Sequence, residues 1–375
     1  MPILPDPPDG VAIRPDLLRA WTAALVGSVG TPDDIAADVA EILLAADRRG
    51  IPSHGTARLP NYLALVEAGV MDPAARPVAE VERAALVRYD ARNGWGHHAS
   101  RVAVDRAIEL AATAGSALVV IRNSNHYGIA GWYALRAAQA GMIGMSLTNS
   151  SPLVAPTRAR QPLLGTNPIA IAAPAGRFGT FCLDMATSTI PRGRIEVAAR
   201  RGDRLLEGWA IDAQGRPART PEAALEGALM PLGGGEATAG YKGYGLALAV
   251  DLLTGVLAGA TSGPAIVGLF STASPSDLGQ AFWVVDPAVL DGSAGPFEAR
   301  LEALCETLVA APTAPDAKGR VLIPGEPEAE AERLTERRGV VLDGRHRAAL
   351  VELGVAAGLP FPAVGPVEPA TGPGL

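Results

Sequence analysis

Between residues 31 and 50 the chain reads TPDDIAADVAEILLAADRRG, with Ile35, Val39, Ile42, Leu43 and Ala46 recurring at helical spacing on one side. Thr31 is expected to cap this helix and Pro32 to open it. Asp33 and Asp34 fall in the first turn, Arg48 and Arg49 in the last, and Gly50 closes it. TARLPNYLALVEAG starts a second helix after a short polar break. The period then changes. SALVVIRNSNHYG is a β-branched run ending in a polar loop, IAGWYALRAAQAG returns to helical spacing, and MIGMSLTNSSP reads as a strand. NPIAIAAPA and GTFCLDMATS predict two more strands, and IPRGRIEVAARRGD a helix after them. YKGYGLALAVDLLTGVLAGA is apolar around its circumference, which predicts a buried helix. Further on, QAFWVVDP reads as a strand, 296–310 as a helix, and EPEAEAERLTERRGVVLDG as a charged helix feeding a strand. Strands alternating with helices make an α/β fold.

Size divides this pattern. At 375 residues the chain exceeds what one growing core holds. The expected division is a helical segment over 1–75, an α/β domain over 76–262, and a C-terminal α/β part over 263–358 packing back on the first segment. LPFPAVGPVEPATGPGL, rich in Pro and Gly without periodicity, predicts a disordered tail over 359–375. A net charge of −7 argues against nucleic acid, whose phosphates need a basic face, but leaves room for a small anion held by local arginines. Cys182 and Cys305 make neither a disulfide framework nor a metal cluster, and Cys182, inside an apolar run, is expected to be buried and inert. MPILPDPPDG lacks the pattern of a signal peptide, and no apolar run approaches the roughly 20 residues of a membrane span, so the cytoplasm is the expected compartment.

Candidate chemistry comes in scattered pieces. PSHGTAR offers Ser53, a protonatable His54 and an Arg58 whose fork suits a carboxylate. A helical four-residue step would put His54 and Arg58 on one side, and Gly55 is expected to leave space around His54. The alternative is a capping histidine and a solvated arginine. RNSNHYGIAGWY puts His126 in a loop directly after a strand, ahead of a helix able to present N–H groups to an anion; an ordinary turn is the alternative. TNSSPLVAP and LGTNPIAI are polar loops fit for an oxygen-rich ligand or for their own turns. Asp184 ends an apolar run and so requires a partner. Lys242 in GYKGYG reads as a phosphate niche or a helix start. His97 and His98 mark a helix N-terminus and are assigned no catalytic role. The histidines lack metal-ligand spacing. The G-x-G-x-x-G dinucleotide fingerprint and the Walker spacing are both missing.

Taken in order, six stretches resemble the malate/L-lactate dehydrogenase family of NAD(P)-dependent oxidoreductases. They are ADRRGIPSHGTARLPNYL, NSNHYGIAGWYAL, GMIGMSLTNSSPLVAPTRARQPLLGTNPIAIAAPA, LDMATSTIPRGRIEVAARRGDRLLEGWAIDAQGRP, YKGYGLALAVDLLTGVLAGA and LIPGEPEAEAERLTERRGVVL. The resemblance implies a non-Rossmann α/β fold, with a central mixed sheet and helical N- and C-terminal parts, usually as a homodimer; the missing fingerprint then has an explanation. It casts His54, beside Ser53, as proton donor or acceptor and Arg58 as the grip on the substrate carboxylate. His126 becomes either the base or part of the cofactor pocket. NAD or NADP would contact His126, Tyr127, Gly128, Ile129 and Ala130, then Ser150, Asp184, Met185, Ala186, Lys242 and Gly243, with Arg320 and the Pro-Gly-Glu at 324–326 closing over it. Thr166, Arg192 and Gly193 would hold substrate.

The chain departs from the family pattern in three places. TRARQPLLGTNP lacks paired glycines, GGGEATAGYKG is longer than the usual loop, and Arg194 replaces the acidic residue of the cyclic-imine reductases. The reaction implied is hydride transfer between nicotinamide and C2 of a small (S)-2-hydroxy or 2-oxo acid, malate/oxaloacetate or L-lactate-like. Within the family the alternatives are ureidoglycolate, sulfolactate and cyclic-imine substrates (Δ1-pyrroline- or piperideine-2-carboxylate). Outside it stand a non-catalytic dinucleotide-binding protein and a serine hydrolase on Ser53 and His54. The hydrolase lacks a G-x-S-x-G elbow, and adjacent residues rarely aim nucleophile and base at each other.

Overall fold

The computed structural model describes residues 7, 9–269 and 271–367. Its N-terminal part runs β1 (Val11–Ile13), α1 (Pro15–Gly27), α2 (Asp33–Arg48) and α3 (Leu59–Glu67). The stripe expected on α2 is sealed: Ile35, Val39, Ile42, Leu43 and Ala46 are all buried. The cap differs from expectation. Pro32 takes the capping position without a side-chain bond, and Thr31 accepts a hydrogen bond from the indole of Trp95 at 3.1 Å. A buried indole N–H needs an acceptor, and that demand outweighs the cap.

Next come β2 (Val78–Arg83), β3 (Leu86–Asp90), α4 (Gly96–Ala114), β4 (Ser116–Ser124), α5 (Ala130–Gln139), β5 (Ile143–Thr148), β6 (Ile169–Pro174) and β7 (Thr180–Met185). A small lobe follows, built of α6 (Arg192–Arg201), β8 (Ala210–Ile211), α7 (Pro221–Glu226) and β9 (Ala228–Leu229) around Val154, Ile195, Leu205 and Leu229. The chain ends with α8 (Gly240–Asp251), β10 (Leu278–Val285), α9 (Phe297–Val309), α10 (Glu326–Arg338), β11 (Val340–Leu342), α11 (Gly344–Ala356) and β12 (Gly365–Pro366).

Seven strands form one mixed sheet in the order β2-β3-β4-β10-β5-β6-β7, in which β3 and β4 are the parallel pair. Helices α4 and α5 cover one face, packing Ala103, Ala107 and Tyr133 on Val119, Ile121, Phe282 and Val284. On the other face Val250 of α8 meets Val120, Leu147 and Ala281.

Three expectations fail here for stated reasons. The boundary at 262/263 divides nothing, because β10 lies between β4 and β5 at the middle of the sheet. The tail is ordered as far as 367: Phe361 meets Trp21 edge-on at 5.0 Å, and Gly365–Pro366 pairs with β1. Two apolar anchors, Leu359 and Phe361, override the Pro/Gly composition by packing on the N-terminal core; residues 368–375 lie outside the described set. Finally, α8 is buried on one side only. Leu246 and Leu248, with Leu252 and Val256 in the π-helical turn after it, stay exposed, with none of the described residues laid over them.

Beyond the sheet, β11 and β12 flank β1. Arg48 and Arg49 at the end of α2 pair with Glu332 and Glu336 of α10, so the C-terminal helices sit over the loop that follows α2.

Candidate active site

That loop carries Ser53, His54 and Arg58, but not on one helix. Two 3-10 turns, Pro52–His54 and Thr56–Arg58, are broken at Gly55. Glycine is required there for a reason different from the one expected. A Cβ at Gly55 would lie 1.9 Å from Oδ1 of Asp47, so the missing side chain makes room for a buried carboxylate rather than for His54. Within the loop Ser53 Oγ lies 3.0 Å from His54 Nδ1, and Arg58 Nε donates to Ser53 O at 2.6 Å.

His126 enters from the end of β4. Its ring centroid lies 5.6 Å from that of His54, the planes 29° off parallel. Tyr62 of α3 reaches His126 Nδ1 through its hydroxyl at 2.6 Å, and Gly128 N–H donates to the same nitrogen at 3.3 Å. An N–H can only donate, so Nδ1 is an acceptor, Tyr62 donates to it, and in the neutral ring Nε2 carries the hydrogen. Burial first, and then the charge of Arg58, hold His54 down at about 4. His126 is pushed well below the usual imidazole range, chiefly by burial and then by His54, His97 and Arg58. Both rings are therefore neutral near pH 7, and Arg58 acts on both.

The presumed cofactor segments meet next to this pair. Gly131 N–H at the start of α5 donates to Asp184 Oδ2 at 2.8 Å, and a Cβ on Gly131 would stand 2.7 Å from that oxygen. The anion at this helix N-terminus is thus the protein's own carboxylate, which takes the Gly131 N–H expected for a ligand. Loss of water around it raises Asp184 to about 6, against the pull of Gly131 N–H and of Arg49. The residue is nonetheless exposed, so water limits how far the rise goes. Met185 and Ala186 follow, half-buried.

Thr166 N–H donates to Ser150 Oγ at 3.0 Å, and Thr187 N–H to Thr166 O at 2.9 Å, which joins the two polar loops to the end of β7. Leu232 N–H in turn donates to Thr187 O at 2.8 Å. Gly243 packs on the backbone of Leu232, which brings the exposed Lys242 to the same rim.

Other candidates are not brought in. Arg192 Nε meets Glu196 at 3.2 Å on the small lobe, Gly193 has open space around it, and Arg194 lies over the ring of Trp209 at 5.8 Å. From the loop before α10, Arg320 forks onto Glu326 at the start of that helix, both bonds 3.0 Å. That loop is still adjacent, because Pro324 O accepts from Cys182 N–H at 2.8 Å, two residues before Asp184. The two loops that depart from the family pattern hold each other: Arg158 Nε is 3.1 Å from both oxygens of Glu236. His98 pairs with Asp38 at 2.8 Å, whereas His97, at 0% exposure, has no partner on either nitrogen among the described residues.

Sequence reasoning missed Tyr62, Asp47 and Thr56. Tyr62 stands four residues beyond Arg58, one helical turn on. Asp47 was detectable as an acid in the last turn of a helix, where it opposes the dipole. Among the described residues no group of three or more His, Cys, Asp or Glu could hold a metal ion, and no helix is long and apolar enough to cross a membrane.

The family model described as malate/L-lactate dehydrogenase matches residues 13–351. The chain belongs to the malate/L-lactate dehydrogenase family. Among its relatives is a malate dehydrogenase of Pyrococcus abyssi, 47% identical over 255 residues, which are 67% of this chain and 70% of that protein. An L-sulfolactate dehydrogenase of Methanothermobacter thermautotrophicus is 34% identical over 322 residues, 85% of this chain and 89% of that one. The solved malate dehydrogenase of Pyrococcus horikoshii superposes with a TM-score of 0.88 at 33% identity, covering 96% of this chain and 99% of that one. As a member of the malate/L-lactate dehydrogenase family this chain is an NAD(P)-dependent oxidoreductase working at the CH–OH carbon of a hydroxy acid.

Proposed function

We propose that the chain oxidises a small (S)-2-hydroxy acid, malate before its analogues, at the pocket between His54, Arg58 and His126. The observation that carries this reading is the pair of groups, Tyr62 hydroxyl and Gly128 N–H, on Nδ1 of His126. With Tyr62 and Gly128 both donating to Nδ1, His126 presents Nε2–H as a donor, which leaves His54 as the acceptor. If His54 directs Nδ1–H to Ser53 Oγ, its Nε2 keeps a lone pair for the substrate hydroxyl proton. Arg58 would hold the carboxylate and His126 would donate to the substrate oxygen. Bound NAD(P) supplies the acceptor for the hydride leaving C2.

The residues present fit that group. Asp184 is an acceptor for neutral hydroxyl or amide hydrogens beside 126–130, and Lys242 is a cation on the rim suited to phosphate. Ser150 lines the joint between them. The naming of relatives as malate dehydrogenases at 47% and 45% identity favours malate, and those named for sulfolactate keep that acid as the second reading. The test is absorbance of reduced nicotinamide with malate, lactate and sulfolactate, each against NAD and NADP. No reduction with any of the three would overturn the proposal.

Tyr62→Phe removes the donor that holds His126. Loss of one buried hydrogen bond costs about 1–2 kcal/mol, so kcat/KM for the hydroxy acid should fall roughly tenfold while dinucleotide affinity stays unchanged. Titration of tryptophan quenching alongside initial rates checks both halves.

We further propose a homodimer through the open side of α8. Leu246, Leu248, Leu252, Val256 and, on the same side of the sheet, Trp283 make an apolar patch of the kind that marks a subunit interface. Val256→Glu should convert a dimer to a monomer in light scattering; a monomeric wild type would sink this part. A cytoplasmic setting accords with two free, buried cysteines, Cys182 raised to about 12 by burial.

A further inference from the structure

The loop of Ser53, His54 and Arg58 is bonded mostly to itself: His54 N–H donates to Ile51 O, Gly55 N–H to Pro52 O and Arg58 N–H to Gly55 O. One side-chain link from it to the body of the protein passes through Thr56. Asp47, 7% exposed, accepts Thr56 N–H at 3.0 Å and the Thr56 hydroxyl at 2.6 Å, both on Oδ2. The same hydroxyl oxygen lies 3.1 Å from Nε2 of His346, 290 residues along the chain in α11. Having given its hydrogen to Asp47, Thr56 Oγ accepts from His346 Nε2–H. His346 is itself placed with care, its N–H on Oδ1 of the capping Asp343 at 2.7 Å and the neighbouring Gly344 N–H on Asp9 at 2.9 Å.

This is an expensive construction. A buried carboxylate opposes its helix dipole, and its second oxygen has no partner among the described residues. Burial pushes Asp47 upward, while His346 and the Thr56 donors pull it back. The packing tolerates no side chain at 55. An apolar contact would fasten the loop at lower cost, but it would not fix its height and rotation to within a hydrogen bond.

We propose that Asp47, Thr56 and His346 are positioning residues that set the 53–58 turn against His126, so that the C-terminal helix governs substrate recognition by Arg58 and proton acceptance by His54. The proposal rests on the reading of His54 and Arg58 as the substrate end. None of the three touches the substrate. They act through the turn.

The experiment compares removal with conservation in the full chain. Thr56→Val and His346→Leu each delete the link, whereas Thr56→Ser and His346→Gln keep a hydroxyl and an N–H donor. Both deletions should lower kcat/KM for the hydroxy acid roughly 10–100-fold, as a misplacement near 1 Å does, with the affinity for NAD(P) alone unchanged. The conservative pair should return it to within about threefold of wild type. Thr56→Val combined with His346→Leu should lose no more than the larger of the two single losses, since one chain is cut twice. Deletions that keep kcat/KM within about twofold, or losses that add in the double variant, overturn the proposal. Should a deletion variant unfold, His346→Gln against His346→Asn decides: the shorter amide cannot reach Thr56, and equal activity of the two overturns it. The underlying reading fails separately, by His54→Ala keeping its turnover whatever His346 does.

Discussion

His54→Ala is expected to lower turnover by about 10²–10⁴-fold while leaving the affinity for dinucleotide alone unchanged, the loss typical of a missing general base. The split follows from geometry. His54 faces His126 and Arg58, whereas the segments read as the cofactor site, the 126–131 loop and Asp184, are held together by Gly131 N–H without help from residue 54. The pH profile supplies a second signature. Without substrate, His54 sits at about 4 and must be unprotonated to accept the hydroxyl proton. For oxidation, kcat/KM should therefore hold level from neutrality down to about pH 5 and drop toward about pH 4, where an unperturbed imidazole would impose its limit near 6.5. The reverse reaction needs the protonated ring and should rise over the same interval. Once the substrate carboxylate neutralises Arg58, the group in the complex should move upward, and kcat should turn at a higher pH than kcat/KM. Unchanged turnover in His54→Ala would transfer the proton to His126 and require its tautomer to be reversed.

How much of this was legible beforehand depends on the range of the interaction. The stripe from Ile35 to Ala46 is a local repeat, and every member is buried as read. The strands around Val119, Ile171 and Cys182 likewise announce themselves by β-branched and apolar runs. Where β10 goes does not. Insertion of Leu278–Val285 between β4 and β5 is a pairing over long sequence distance, and nothing inside QAFWVVDP carries it.

The site shows the same division. Ser53 and His54 are neighbours in the chain, so their bond could be anticipated, and the family resemblance joined Arg58 and His126 to them. Tyr62 lies one turn beyond Arg58 and was open to inspection. His346 was not: no periodicity connects residue 56 to residue 346. Composition misled in two places, at the tail around Phe361 and on α8, because apolar content says that a surface will be covered and not by what.

The largest effect on stability is expected from His97→Leu in acid. His97 is fully buried, meets Tyr62 edge-on at 5.0 Å, and has no partner on either nitrogen among the described residues. Burial lowers it to about 3 from the ordinary 6.5. Above pH 6.5 the ring is neutral in both folded and unfolded chains and adds no pH dependence. Below that value the unfolded chain takes up a proton that the folded one refuses. Stability therefore falls with pH at the rate of one proton, from about 6.5 until the folded ring titrates near 3. By pH 4.5 this single group destabilises the fold by about 2–3 kcal/mol. Leucine has similar bulk and takes up no proton. At pH 7 the variant should lie within about 1 kcal/mol of wild type, because the lost contact with Tyr62 is offset by removal of two unpaired polar atoms. At pH 4.5 it should be the more stable by about 2–3 kcal/mol, read as a higher urea midpoint. Equal slopes of stability against pH for the two proteins, between 6.5 and 4.5, would mean that His97 takes up a proton in the folded state and that the buried ring has a partner.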